Sequence, residues 1–329
     1  YAADPAAVYR GRAGSGRQRV KWGVLLPTFD ALGQGTPPVV AAARRAEELG
    51  FDAVWAGDHL ICRPPVLDSL CALSAAAAVT GRIELGVSVL QLGLRQPAWA
   101  AKQLATIEAL APGRLRLGVG VGGEYPEEFV AAGVSCRTRG RRLDEILHVL
   151  PTLLRGEPVD HPGPLAPVQV PGLRPAVRSP LPVSVGGRSD AALRRAARYG
   201  DQWMGIWLSA HAVRACARRL AALAAERGRA APSVAMLVLV NVNEDADAAR
   251  RGAAELVHGQ YGMPLRVVER WTACGPAGTV AGVLGEYIEA GVSEFVLMPA
   301  SADPLGQYRR LTAVRDLVCA AAEERRDGT

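Results

Sequence analysis

Between Gly81 and Glu128 the chain reads as apolar strand, polar loop, amphipathic helix and second apolar strand, with a small-residue loop closing each strand. Ile83 to Leu90 alternate branched with small side chains, the composition of a strand buried on both faces of a parallel sheet. Pro97 opens the helix at a position where a missing amide hydrogen costs nothing. Leu115 to Val119 run directly into Gly120, Gly122 and Gly123, where a ligand could approach the backbone closely. In a β/α barrel the carboxyl ends of the strands form the active-site face.

The same alternation extends along the chain. Eight strand candidates are Val20–Leu26, Asp52–Ala56, Arg82–Leu90, Arg114–Val119, Pro182–Val185, Gln202–Ile206, Val234–Val242 and Glu294–Met298. Helical spacing separates them at Pro38–Leu49, Thr138–Leu154, Asp190–Tyr199, Ala210–Arg227, Asp245–His258 and Ala277–Ala290. Gly50 stands as a C-cap before Phe51 enters the second strand. The pattern predicts an α/β chain folded as a (β/α)8 TIM barrel. A doubly wound open sheet fits less well, because the first strand-to-helix turn lacks GxGxxG. Two insertions are expected, a proline-crowded excursion over Glu157–Pro182 and a segment over Tyr261–Pro276. Residues 1–19 read as a flexible N-terminal extension and 20–329 as one domain.

Composition excludes several classes. No run of apolar residues is long enough for a transmembrane helix, and the N-terminal segment has no signal-peptide core. The six cysteines are scattered without a CxxC pair, and the five histidines show no ligand spacing with them. A reduced cytoplasmic chain with no structural metal is therefore expected. The net charge of +6 is spread over helices such as Arg214–Arg229 rather than clustered among aromatics, so nucleic-acid binding is not expected.

Four short constellations could carry chemistry. Asp58–His59 follows the second strand, where a carboxylate and an imidazole could bind a polar ligand and move a proton near neutral pH. The pair fits equally a helix-capping aspartate beside a packed histidine. Ser88-Val89-Leu90-Gln91 closes the third strand and, alone, is only a polar exit from it. The loop Gly120-Val121-Gly122-Gly123-Glu124 precedes a short acidic helix. Gly186-Gly187-Arg188-Ser189-Asp190 closes the fifth strand and opens a helix, forming either a phosphate cradle or an Asp190-capped glycine turn, or both.

Together these segments resemble the luciferase-like flavin oxidoreductase family. The resemblance covers most of the chain from Val20 to about Met298 and is carried by GVLLPT at Gly23–Thr28, AEELGFDAVWAGDHL at Ala46–Leu60 and GRIELGVSVL at Gly81–Leu90. To these are added the segments Gln96–Phe129, RGRRLDEIL at Arg139–Leu147 and Pro180–Trp203. It implies a bacterial-luciferase-like barrel with insertions, a flavin or deazaflavin at the strand ends, and a homodimer through the early helices around Leu67–Val79 and Pro97–Ala109. The similarity is closest to the branch that uses the deazaflavin coenzyme F420, with FMN and oxygen as the alternative chemistry. By this resemblance Asp58 touches the cofactor ring and His59 moves the proton. Ser88–Val89 forms a bulge, often a cis peptide, behind the ring, and Gly186 and Gly187 form the phosphate loop. Gln91, Val121, Gly122 and Arg188 complete the expected cofactor site. The substrate is expected to be a small organic molecule. A barrel that has lost catalysis and only binds a flavin or a partner is the rival from outside the enzymes, and the intact Asp58–His59 pair argues against it. The chain departs from the sugar-phosphate dehydrogenases of the family, which carry a Trp where Arg63 stands here. Their loop glutamate aligns with Gly123, leaving Glu124 one place late. That activity is therefore not carried over.

Overall fold

The computed structural model describes residues 19–35 and 39–327. The expected extension lies, apart from Arg19, outside the described residues. In chain order the elements are β1 (Lys21–Leu25), α1 (Val39–Glu48), β2 (Ala53–Ala56), α2 (Ser69–Ala77), β3 (Glu84–Val87), α3 (Pro97–Leu110), β4 (Leu115–Val119), α4 (Pro126–Ala131) and α5 (Arg139–Leu154). A hairpin of β5 (Val159–His161) and β6 (Val168–Val170) follows. The second half comprises β7 (Val183–Gly186), α6 (Asp190–Tyr199), β8 (Gln202–Ile206), α7 (Ala210–Ala225), β9 (Ser233–Val242) and α8 (Ala246–Tyr261). The chain then runs through β10 (Thr272–Gly275), α9 (Ala277–Glu289), β11 (Glu294–Pro299) and α10 (Pro304–Asp327).

Parallel pairing runs β9-β11-β1-β2-β3-β4-β7-β8, and β8 pairs back onto β9, closing the expected eight-stranded barrel. Among the described residues, no helix is long and apolar enough to cross a membrane. Gly50 adopts φ +73° and ends α1 as expected, with the Phe51 amide returning to the Ala46 carbonyl.

The structure differs from the sequence reading at four places. The third strand stops at Val87 rather than Leu90, while the Ser88–Val89 peptide is cis, as the resemblance implied. Leu90 rejoins as an isolated bridge to Val119. The detour is possible because Gly118 has no side chain: a Cβ there would lie 2.0 Å from the Val87 carbonyl oxygen. Second, the proline-crowded excursion is not wholly irregular, since it holds the antiparallel β5–β6 hairpin. Third, the Tyr261–Pro276 insertion contributes β10, which pairs in parallel with the overhanging end of the ten-residue β9. Fourth, α10 was not legible as a helix, and its buried Tyr308, Leu311 and Val314 seat it on the barrel.

The barrel interior is stacked in layers. At the amino ends of the strands the guanidinium of Arg116 lies between the carboxylates of Glu84 and Glu294, at 2.8 and 3.0 Å, with Gln202 also in reach. Trp55, wholly buried, sits next, with Arg116 5.5 Å from its ring centroid. Two flanking positions must be glycine to make room for it. A Cβ on Gly86 would stand 2.2 Å from the indole ring, and one on Gly23 would stand 2.6 Å from its nitrogen. Above Trp55 the interior opens toward the carboxyl ends of the strands.

Gly86→Ala is therefore expected to destabilise the barrel by about 1–3 kcal/mol, as overpacking does. Gly81→Ala, whose Cβ would meet nothing within 4 Å, is expected to stay within about 0.5 kcal/mol of the native chain. Urea unfolding midpoints would test the contrast, and equal midpoints would contradict the packing described.

Candidate active site

The carboxyl ends of the strands enclose a cavity of about 270 Å³. One half is walled by backbone, at Gly120 and Gly122 after β4 and Gly186 and Gly187 at the end of the neighbouring β7. The other half is walled by Leu25, Phe29, Ile206, Trp207, Leu237, Tyr261 and Met298. Of the residues singled out in the sequence, Asp58, His59, Ser88, Val89, Gln91, Val121, Gly122, Gly186 and Gly187 converge on this cavity. Arg188 does not line it; its guanidinium lies 5.9 Å from the Trp207 ring centroid and reaches the Trp207 carbonyl.

Asp58 is a latch between loops. Its Oδ1 accepts from the Ser69 hydroxyl at 2.7 Å and from Arg95 at 2.9 Å, and its Oδ2 accepts from the Gln91 amide at 2.9 Å. The helix that follows, α2, is capped by Asp68 and not by Asp58. Arg95 bridges the two aspartates.

His59 is held edge-on to Tyr125 and Phe29. Its Nδ1 lies 3.1 Å from Oε1 of Glu128 and 2.9 Å from Nε2 of Gln91. The Gln91 amide nitrogen also faces the Asp58 carbonyl and both Glu128 oxygens, all of them acceptors. Nδ1 lies nearer to that nitrogen than any of these acceptors does, so it faces both a donor and an acceptor, and either tautomer finds a partner there. Nε2 has Oε2 of the half-exposed Glu124 at 3.8 Å.

Glu128 was not read from the sequence as a site residue, yet it organises this end of the cavity. It is wholly buried and accepts from the Leu60 and Ile61 amides at 2.8 and 3.3 Å as well as from His59 and Gln91. Burial by itself pushes its carboxyl up. Hydrogen bonds from His59, Gln91 and the Leu60 amide, together with the imidazole charge, outweigh that and hold it below the ordinary carboxylate value. The available sequence signal was the acidic run Glu124–Glu128 after the glycine loop, but not which member faces inward. Burial, with the nearby charges of Glu128 and Glu124, pushes the neighbouring Cys62 thiol up to about 11, so it stays protonated at neutral pH.

The two glycine loops have distinct reasons. Gly122 adopts φ +60°, and a Cβ there would lie 1.9 Å from Oε1 of Gln91. Val89, beyond the cis peptide, packs its methyls against Gly120 and Gly186, where added Cβ atoms would stand 2.4 and 2.9 Å away. It thus forms a small apolar boss on an otherwise flat wall. Gly187 has φ +122°, and its carbonyl accepts the Trp203 indole N–H at 2.7 Å, which pins the turn. The cap of α6 is the Ser189 hydroxyl, which accepts from the Ala192 amide, and not Asp190, which pairs with Arg194 and Arg219. Trp207, also missed, holds φ +53°, a backbone conformation a bulky residue seldom adopts, and carries its ring into the cavity wall.

The protein-family model described as luciferase-like monooxygenase matches residues 20–294. An uncharacterised protein of Mycobacterium tuberculosis is 38% identical over 140 residues, 43% of this chain and 48% of that protein. An F420-dependent glucose-6-phosphate dehydrogenase of Kineococcus radiotolerans is 34% identical over 170 residues, 49% of this chain and 50% of that enzyme. The chain thus spans about half the length of the curated relatives it matches. Among solved structures, an F420-dependent secondary alcohol dehydrogenase in complex with an F420-acetone adduct superposes with a TM-score of 0.80 at 20% identity, covering 91% of this chain and 99% of that one. At that identity the likeness shows the barrel fold.

Glu128→Gln is expected to lower stability by about 1–3 kcal/mol near neutral pH, because it places an amide N–H where buried donors need an acceptor. A carboxyl held below its unfolded value stabilises above that value and loses its contribution as pH falls through the folded one. The gap between variant and native chain should accordingly close in acid, below the ordinary carboxylate range. Thermal melts across that range would check it, and a gap that widens on acidification would overturn the assignment.

Proposed function

Because this chain belongs to the luciferase-like monooxygenase family, an oxidoreductase family, we propose that it transfers a hydride between coenzyme F420 and a small organic substrate. The observation that carries this reading is His59, held by Glu128 through Nδ1, beside a cavity half built from glycine backbone. The F420-dependent relatives support the choice of cofactor.

The residues fit a deazaflavin. Glycine backbone at positions 120, 122, 186 and 187 leaves room for a flat ring and a phosphate-bearing tail, and the Val89 methyls give the ring an apolar support. The amino end of α6, with its Gly186–Gly187 turn, suits the phosphate, and Arg188 follows that turn directly in the chain. Asp58, with its carboxylate saturated by protein donors, acts by holding Gln91, Ser69 and Arg95 in register. Ser88 and Val121 line the same wall. The bound deazaflavin would supply the hydride acceptor or donor. His59 would take or release the accompanying proton at Nε2, Glu128 would fix its orientation, and the aromatic half of the cavity would keep water away from the reacting atoms.

FMN with oxygen is the second reading, favoured by the monooxygenase description of the family itself. Titration of the purified protein with each cofactor separates the two. Quenching of F420 fluorescence at concentrations where FMN does not bind is expected, and tighter FMN binding would overturn the F420 assignment. His59→Ala is expected to lower turnover by about 10²–10⁴-fold with little change in cofactor affinity. A variant with native turnover per folded molecule would remove His59 from the chemistry.

We also propose a homodimer through α2 and α3, working in the cytoplasm. Trp99 and Leu110 on α3 and Leu67 before α2 are large apolar side chains left exposed, with Trp99 at 71%. The unbridged cysteines accord with a reducing compartment. Light scattering of the native chain should give a dimer mass, and Trp99→Glu with Leu110→Glu a monomer. A native chain that is monomeric at micromolar concentration would refute the interface.

A further inference from the structure

Resting on the hydride-transfer reading above, we propose that the substrate is an uncharged, chiefly apolar molecule whose tail lodges in a side cavity behind Phe29, and that phosphorylated substrates are excluded. A second cavity of about 70 Å³ adjoins the main one behind Phe29 and Met298, between the loop after β1, the α8 helix and the loop after β11. The two share Leu25, Phe29, Gln260 and Met298 as common wall. Beyond them the side cavity is faced by Leu32, Leu256, Pro299 and Ala302 among others.

Neither cavity has a lysine or arginine among the described residues that line it. The charged groups that do line them are carboxylates. Asp58 is saturated by Ser69, Arg95 and Gln91, Asp30 accepts from the Gln34 and Gly35 amides, and Glu124 stands half-exposed beside His59. A phosphate carried into the aromatic half would lose its hydration, find no lysine or arginine lining the wall and feel negative charge from Glu124. A hydrocarbon tail meets the opposite situation, since each methylene moved from water into the side cavity gains the hydrophobic transfer energy. The head of such a molecule would rest at His59 Nε2, against the open face of the cofactor half.

Calorimetric titration of the F420-loaded protein with butan-2-ol, hexan-2-ol and octan-2-ol, and with glucose 6-phosphate, tests this. Affinity is expected to rise roughly fourfold per methylene, with glucose 6-phosphate binding more weakly than hexan-2-ol. Ala302→Trp, at an exposed position lining the side cavity, is expected to abolish the gain from hexan-2-ol to octan-2-ol. Affinity independent of chain length, a gain that survives Ala302→Trp, or glucose 6-phosphate as the tightest ligand would each overturn the proposal. Running the same alcohol series on cofactor-free protein separates the two readings. A chain that does not quench F420 fluorescence yet keeps the chain-length series loses the cofactor assignment but keeps the cavity's preference.

Discussion

A single buried guanidinium sets the terms for this barrel. Arg116, on β4, is 8% exposed. Burial alone would lower its basicity, yet the charges of Glu294 and Glu84 more than compensate and hold it protonated. Those carboxylates come from β11 and β3, Lys21 of β1 pairs with Glu84, Gln202 of β8 bonds both Arg116 and Glu294, and Ser184 of β7 donates to Gln202. Six of the eight barrel strands therefore send a side chain into one hydrogen-bonded layer. An unpaired charge in that place would cost several kcal/mol, so the strands are held to the one register that brings every partner together. Trp55 rests on this layer.

Most of the fold was legible because its signals are periodic. Strands such as Gln202–Ile206 and helices such as Asp190–Tyr199 carry their own burial pattern and end signals, and the structure places both at the expected bounds. What escaped detection depends on contacts distant in sequence. β10 is four residues with no pattern of its own, and it exists as a strand only because β9 overhangs its other neighbours. The early end of β3 is likewise written at Gly118, some thirty residues away, where a missing Cβ admits the Val87 carbonyl.

The candidate site divides along the same line. The Asp-His pair and the glycine loops stood out as local strings, and they do meet at one cavity. The partner that holds the His59 imidazole at Nδ1, Glu128, looks in the sequence like any acid in the first turn of a helix. Only the fold shows it wholly buried beneath the Leu60 and Ile61 amides. Trp207 and Tyr261, which close the aromatic half edge to face, come from elements more than fifty residues apart, so no local pattern joins them.

The layered interior also bears on how such a chain can evolve. Register and closure are enforced at the amino ends of the strands by Arg116 and its partners, and the cavity lies at the opposite ends beyond Trp55. Replacements among the rim side chains leave the closing layer untouched, so their costs add to its stability rather than compound with it. A lineage carrying this barrel can therefore exchange Phe29, Tyr261 or Met298 to accept new molecules while the end that holds the strands together stays constant.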